Sequence, residues 1–221
     1  MSNTLLPQLD SLAAGKLPVL DATLERFGML ALKKTTTHQH LAEIVRGDIG
    51  FTLGIFREVN GPLPEGRSPV LSIEHGISML GVPKVIDLGQ QLLPFSSLPE
   101  TVSTALEKIY SQSLHAAQYF EALAIQERQP RIPENAKATK LMQLAEVSLW
   151  TNNSAEIQDY EAEKAATLVG DQTLMLDQNM RALGKALAKA WSLPEELQQA
   201  LSETFENSNI ALAMTLADRI A

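Results

Sequence analysis

The sequence predicts an all-α fold. Apolar residues recur at steps of three and four along most of the chain, strand-like alternation is nearly absent, and Pro and Gly punctuate the periodic stretches. A length of 221 residues with 45% hydrophobic and 20% charged residues is enough for a real core and argues against disorder. Aromatics make up only 5%, so that core must be built mainly from Leu, Ile, Val, Ala and Met.

In chain order, Thr36 with Gln39 is expected to cap a short helix through Leu41, Ile44 and Val45. Gly47-Asp48 breaks it and caps the next, through Ile49, Thr52, Phe56 and Val59. Asn60 to Pro69 holds three prolines and two glycines and reads as a loop. Ser72 to Leu80 reads as a helix stopped by Gly81. Val82 to Leu93 is another, with Pro83 in its first turn, where a missing amide costs little.

Ser97-Leu98-Pro99-Glu100 has the form of a capping box, in which the Ser hydroxyl accepts from the third amide and the Glu reaches back. One long helix follows, with Val102, Leu106, Ile109, Ser113, Ala117, Phe120 and Ala124 on one stripe. Ser192-Leu193-Pro194-Glu195 repeats the tetrapeptide, but its flanks differ, so convergent capping explains it better than an internal repeat. Residues 128–133 form a linker. Helices are expected near 134–150, 154–169, 173–191, 194–206 and 208–220, the last from Ile210, Ala213, Ala217 and Ile220. The total is roughly a dozen helices and no sheet, with a subdomain boundary near residue 95.

Composition removes several functions. Eighteen basic against 26 acidic residues leave a net charge of −8 with no basic stripe, so neither nucleic acid nor an anionic membrane is an expected partner. The absence of cysteine excludes disulfides, thiolate nucleophiles and thiolate zinc sites. No stretch reads as a secretory signal or a membrane span, which makes the cytoplasm the expected location.

Catalytic constellations are missing too. The four histidines are His38, His40, His75 and His115, with no His-Asp dipeptide and no His-Glu-x-x-His. His38 and His40 are two apart and diverge on a helix. His75 falls in a first turn and reads as a capping or surface residue; His115 lies off the apolar stripe and reads as a solvated or interface histidine. Neither a Gly-x-Ser-x-Gly elbow nor a glycine-rich phosphate loop occurs. The acidic pairs Glu161/Glu163 and Glu195/Glu196 read as solvated helix faces, and Trp150 and Trp191 as core anchors.

Six segments in a fixed order carry a resemblance. They are Leu17-Pro18-Val19-Leu20, Leu41 through Asp48, Phe56-Arg57-Glu58-Val59-Asn60, Ser72 through Gly81, Ala186 through Leu197 with its Trp191-Ser192-Leu193-Pro194-Glu195 junction, and Leu216 through Ala221. Together they resemble the bacterial HDOD domain, a relative of HD-type metal-dependent phosphohydrolases, over roughly residues 10–221. The resemblance implies a two-lobed, multi-helical HD-like bundle: an N-terminal helical lobe over 1–95 and an HD-like lobe over 96–221.

Nucleotide-hydrolysing relatives hold divalent metals with a helix His, a later His-Asp pair and a late Asp. By resemblance the first His position falls at Gln112, just before Ser113. The His-Asp pair falls near Gln143-Leu144, and only Asp218 keeps its carboxylate. A neutral amide and an aliphatic chain cannot replace imidazole and carboxylate, so metal hydrolysis by this route is expected to be lost, with no cofactor. Gln112, Gln143 and Asp218 then mark a vestigial pocket. The implied function is a non-catalytic regulatory module of signal transduction that binds a protein partner or a fused domain. The rivals are a phosphohydrolase or phosphodiesterase with a divergent metal site, and a nucleotide or metabolite sensor using the vacated pocket.

Overall fold

The computed structural model describes residues 8–33, 35–61, 69–70, 72–126, 143–152, 154–166, 171–195 and 198. Among them are ten α-helices, and the chain divides into two compact units. The first comprises Lys16–Ser103 with Trp191–Glu195. The second comprises the described residues 8–15, 104–126, 143–152, 154–166, 171–190 and 198. The helices expected at 194–206 and 208–220 lie almost wholly outside the described residues.

The first unit opens with β1 (Pro18–Val19), followed by α2 (Asp21–Ala31), α3 (His38–Arg46), α4 (Ile49–Asn60), α5 (Ile73–Leu80) and α6 (Val82–Gln91); α1 (Leu9–Ala14) belongs to the second unit. β1 pairs in parallel with β2 (Leu93–Pro94), an element absent from the sequence reading because two residues are too short to show alternation. Helix α4 is the hub. It packs on α3, α5, α6 and β1, and every residue from Ile49 through Phe56 is buried, as are Val59 and Asn60. A helix apolar on all sides is stable only inside a shell of other elements. Phe51 of α4 meets Phe27 of α2 with ring centroids 4.9 Å apart. A Cβ on Gly76 of α5 would stand 2.7 Å from Ile55, so glycine there lets α5 approach the hub.

Caps and turns set the order of these helices. Asp48 is fully buried; its Oδ1 accepts from the Phe51 amide at 2.9 Å, the expected cap of α4, and its Oδ2 accepts from the Leu20 amide at 2.9 Å. Gly81 ends α5 and begins α6 at φ 77°, backbone that glycine adopts without steric cost, and Pro83 sits in the first turn of α6. The cap of α3 falls one residue later than expected. Thr37 Oγ1 accepts from the His40 amide and the Thr37 amide donates to His40 Nδ1, each at 3.3 Å, while the Thr36 hydroxyl is drawn away to the Leu30 carbonyl.

The second unit holds α1, the long α7 (Glu100–Gln126) from Thr104 onward, α8 (Leu144–Asn152), α9 (Ser154–Ala166) and α10 (Asp171–Ala190). Helix α8 packs against α1, α9 and α10. Of the stripe expected on α7, Val102, Leu106, Ile109, Ser113, Phe120 and Ala124 are buried, while Ala117 is half-buried and its neighbour Ala116 is the one in the core.

Neither Ser-Leu-Pro-Glu tetrapeptide forms its expected capping box. Ser97 sits in a 3-10 turn, Phe95–Ser97, where its hydroxyl donates to the Pro94 carbonyl at 2.6 Å, and α7 begins only at Glu100. Ser192 has φ 50°, whereas an N-cap residue is extended. It follows α10 in the left-handed conformation that ends helices, at a cost of about 1–2 kcal/mol for a non-glycine residue.

Candidate functional site

The candidate site lies in the second unit, where α7 meets the start of α8. Ser113 interrupts the apolar stripe of α7 and is 1% exposed. A buried hydroxyl needs a partner, and Ser113 finds it in Gln143: its Oγ donates to Gln143 Oε1 at 2.6 Å. Gln143 is placed by α8, whose Val147 amide donates to the Gln143 carbonyl at 2.9 Å. Of the three residues singled out from sequence, Gln143 therefore faces α7. Gln112, half-buried, sits one residue and about 100° of helix turn from the hydroxyl that meets it. Asp218 lies outside the described residues. From sequence Ser113 is a stripe position, and its one signal is that it is the polar residue on that stripe.

The same stretch carries two further buried polar atoms. Ser148 Oγ and Trp150 Nε1 have no hydrogen-bond partner among the described residues. Gln143, Val147 and Trp150 fall at i, i+4 and i+7, so the indole lies on the helix face that starts with the Ser113 partner. Leaving a buried donor unpaired costs about 1–3 kcal/mol, and such groups in a folded protein call for an explanation. Both tryptophans are core residues, Trp150 at 6% and Trp191 at 2% exposure.

Among the described residues the donors at this site carry no charge. Ser113 and Gln143 offer a hydroxyl and an amide, both neutral and already bonded to each other. Among the described residues no three His, Asp or Glu side chains gather closely enough to hold an ion. His38, His40, His75 and His115 are all exposed, and His40 serves the cap of α3. Charged side chains pair elsewhere, in the first unit: Arg46 with Glu74, and Lys84 with Glu58 at 2.9 Å. Hydrogen bonding to Glu58 raises the Lys84 pKa, and burial pushes that of the Arg57 guanidinium down.

Comparison with protein families matches the HDOD domain over residues 17–206. The chain belongs to the HDOD family. The fold of this HDOD protein resembles that of the MmoQ response regulator from Methylococcus capsulatus str. Bath. The two are 22% identical, with a TM-score of 0.63 over 94% of this chain and 86% of that one. An HDOD domain protein from Geobacter sulfurreducens is similar at 18% identity and a TM-score of 0.46, over 97% of this chain and 78% of the other. Comparison with curated proteins finds no match. Among the described residues no helix is long and apolar enough to cross a membrane.

Proposed function

We propose that this HDOD protein is a non-catalytic module of signal transduction that acts by binding a protein partner or another domain. The observation that carries the reading is the Ser113–Gln143 hydrogen bond, a neutral pair in the region where resemblance puts the metal ligands of hydrolytic relatives. Neutral oxygens already engaged with each other neither outcompete a cation's hydration shell nor lower the pKa of bound water. Likeness to a response regulator supports the signalling context.

Elemental analysis of natively purified protein, paired with hydrolysis assays on phosphodiesters and nucleotides, tests the reading. The expected result is substoichiometric metal and no turnover. Stoichiometric Mn, Fe or Zn with turnover abolished by Asp218→Ala establishes a divergent phosphohydrolase instead.

A second reading has its own observation. The unpaired Trp150 Nε1 shares a helix face with Gln143, which suits a small polar ligand bearing an acceptor for the indole. Thermal-shift screening with nucleotides distinguishes the two: stabilisation by one of them, lost in Trp150→Phe, favours a sensor, and no stabilisation removes it.

A further inference from the structure

Within the first unit, Asp21 opens α2 yet does not cap it. The residue before the helix is Leu20, whose side chain has nothing to offer the first-turn amides, and the Asp21 carboxylate is committed to residue 96 instead. Its Oδ2 accepts from the Ser96 amide at 2.9 Å and its Oδ1 from the Ser96 hydroxyl at 2.5 Å, a two-pronged, charge-assisted contact between residues 75 positions apart. That contact fastens a short joint. β1 and β2 pair over two residues each, and beside them the Leu93 amide donates to the Leu17 carbonyl at 2.9 Å. Leu17, Val19 and Phe95 are buried, whereas Ser96 and Ser97 stand exposed in the 3-10 turn that follows β2. A hydroxyl open to solvent is therefore bonded to the carboxylate that holds a largely buried joint closed.

We propose that Ser96 is a phosphoryl-acceptor site and that its contact with Asp21 is a latch which the added phosphate opens. In the kinase-catalysed transfer, Ser96 Oγ bonds to the terminal phosphorus of a nucleoside triphosphate. The bond from that phosphorus to the diphosphate leaving group breaks, and the hydroxyl proton leaves to solvent. The product has lost the proton that bonded Asp21 and sets a charge of about −1.5 to −2 against a carboxylate. The α2 N-terminus offers a compensating partial charge of only about +0.5, so repulsion wins and the turn leaves Asp21. Ser97 serves as an internal control, because its hydroxyl donates at 2.6 Å to the Pro94 carbonyl, a neutral group of the same turn.

Hydrogen exchange of the full chain, followed by NMR at the Leu93 amide, tests the latch. Ser96→Glu is expected to speed that exchange on the order of tenfold, and phosphoserine installed at position 96 more so. Ser96→Gln, equal in size to the Glu variant but neutral, should stay within about threefold of the parent. Asp21→Asn removes the repelling charge and adds an amide donor, so combined with Ser96→Glu it is expected to return exchange to the level of Asp21→Asn alone. Ser97→Glu should leave the Leu93 amide nearly unchanged. A purely steric role predicts equal effects of Glu and Gln at position 96 and no rescue by Asp21→Asn; either result overturns the latch. Peptide mass spectrometry of protein purified from its native cells tests the acceptor. Phosphate on Ser96 is expected, and its absence across growth conditions overturns the site.

Discussion

The two units treat their buried polar groups differently. In the first, the buried Asp48, Thr52 and Asn60 each close a structural circuit. Asp48 holds the amides of Phe51 and Leu20, Thr52 Oγ1 donates to the Val45 carbonyl at 2.9 Å, and Asn60 exchanges two hydrogen bonds with the Val70 backbone. In the second, Ser113 and Gln143 satisfy each other across two helices, while Ser148 Oγ and Trp150 Nε1 stay unpaired among the described residues. Polar groups that terminate helices and join loops belong to the architecture of any chain with this fold. Polar groups that face one another inside a helical bundle hold up no backbone.

That contrast is open to direct attack. The largest effect is expected from Asp48→Ala, which orphans two amides in a fully buried setting. A loss of about 3 kcal/mol or more should appear as a lower denaturant midpoint. A loss under about 1 kcal/mol would show that water replaces the carboxylate and that the circuit matters little. Next comes Gly76→Ala, where the new methyl must push Ile55 away from a packed hub. About 1–3 kcal/mol of destabilisation is expected by the same measurement.

The second unit should respond otherwise. Ser113→Ala alone is expected to cost about 1 kcal/mol, because Gln143 loses a donor. Replacing both partners, as Ser113→Val with Gln143→Leu, is expected to return stability to within about 1 kcal/mol of the parent. A double variant as damaged as Asp48→Ala would erase the distinction between the two units.

The smallest effect concerns Lys84. Its folded pKa is raised, first by the hydrogen bond to Glu58, so the stabilisation is fully present below the unfolded value of 10.5 and fades as pH rises through the folded one. The pair is exposed, so only a slight alkaline decline of the denaturation midpoint is expected, and Glu58→Gln should flatten it.

Much of this was legible along the chain because the relevant physics is local. The stripe from Val102 to Ala124, the Asp48 cap of α4, the stop at Gly81 and Pro83 in the first turn of α6 each depend on residues within a turn or two of one another. The two Ser-Leu-Pro-Glu tetrapeptides show where that reasoning ends. Identical in sequence, Ser97 donates to Pro94 while Ser192 adopts a left-handed turn after α10, because their surroundings rather than their letters set the local minimum.

By itself the sequence determined the helical class, the main apolar faces, the absence of cysteine and the scarcity of histidine, all properties of composition and short-range periodicity, while the family resemblance rests on six segments and their order. Only the tertiary structure decided that Asp48 also reaches Leu20, that Ser113 rather than Gln112 meets Gln143, and that Gln8 reaches Glu156. Those contacts join residues tens to more than a hundred positions apart. No local preference encodes such pairings; they follow from which surfaces the whole chain can bury at once.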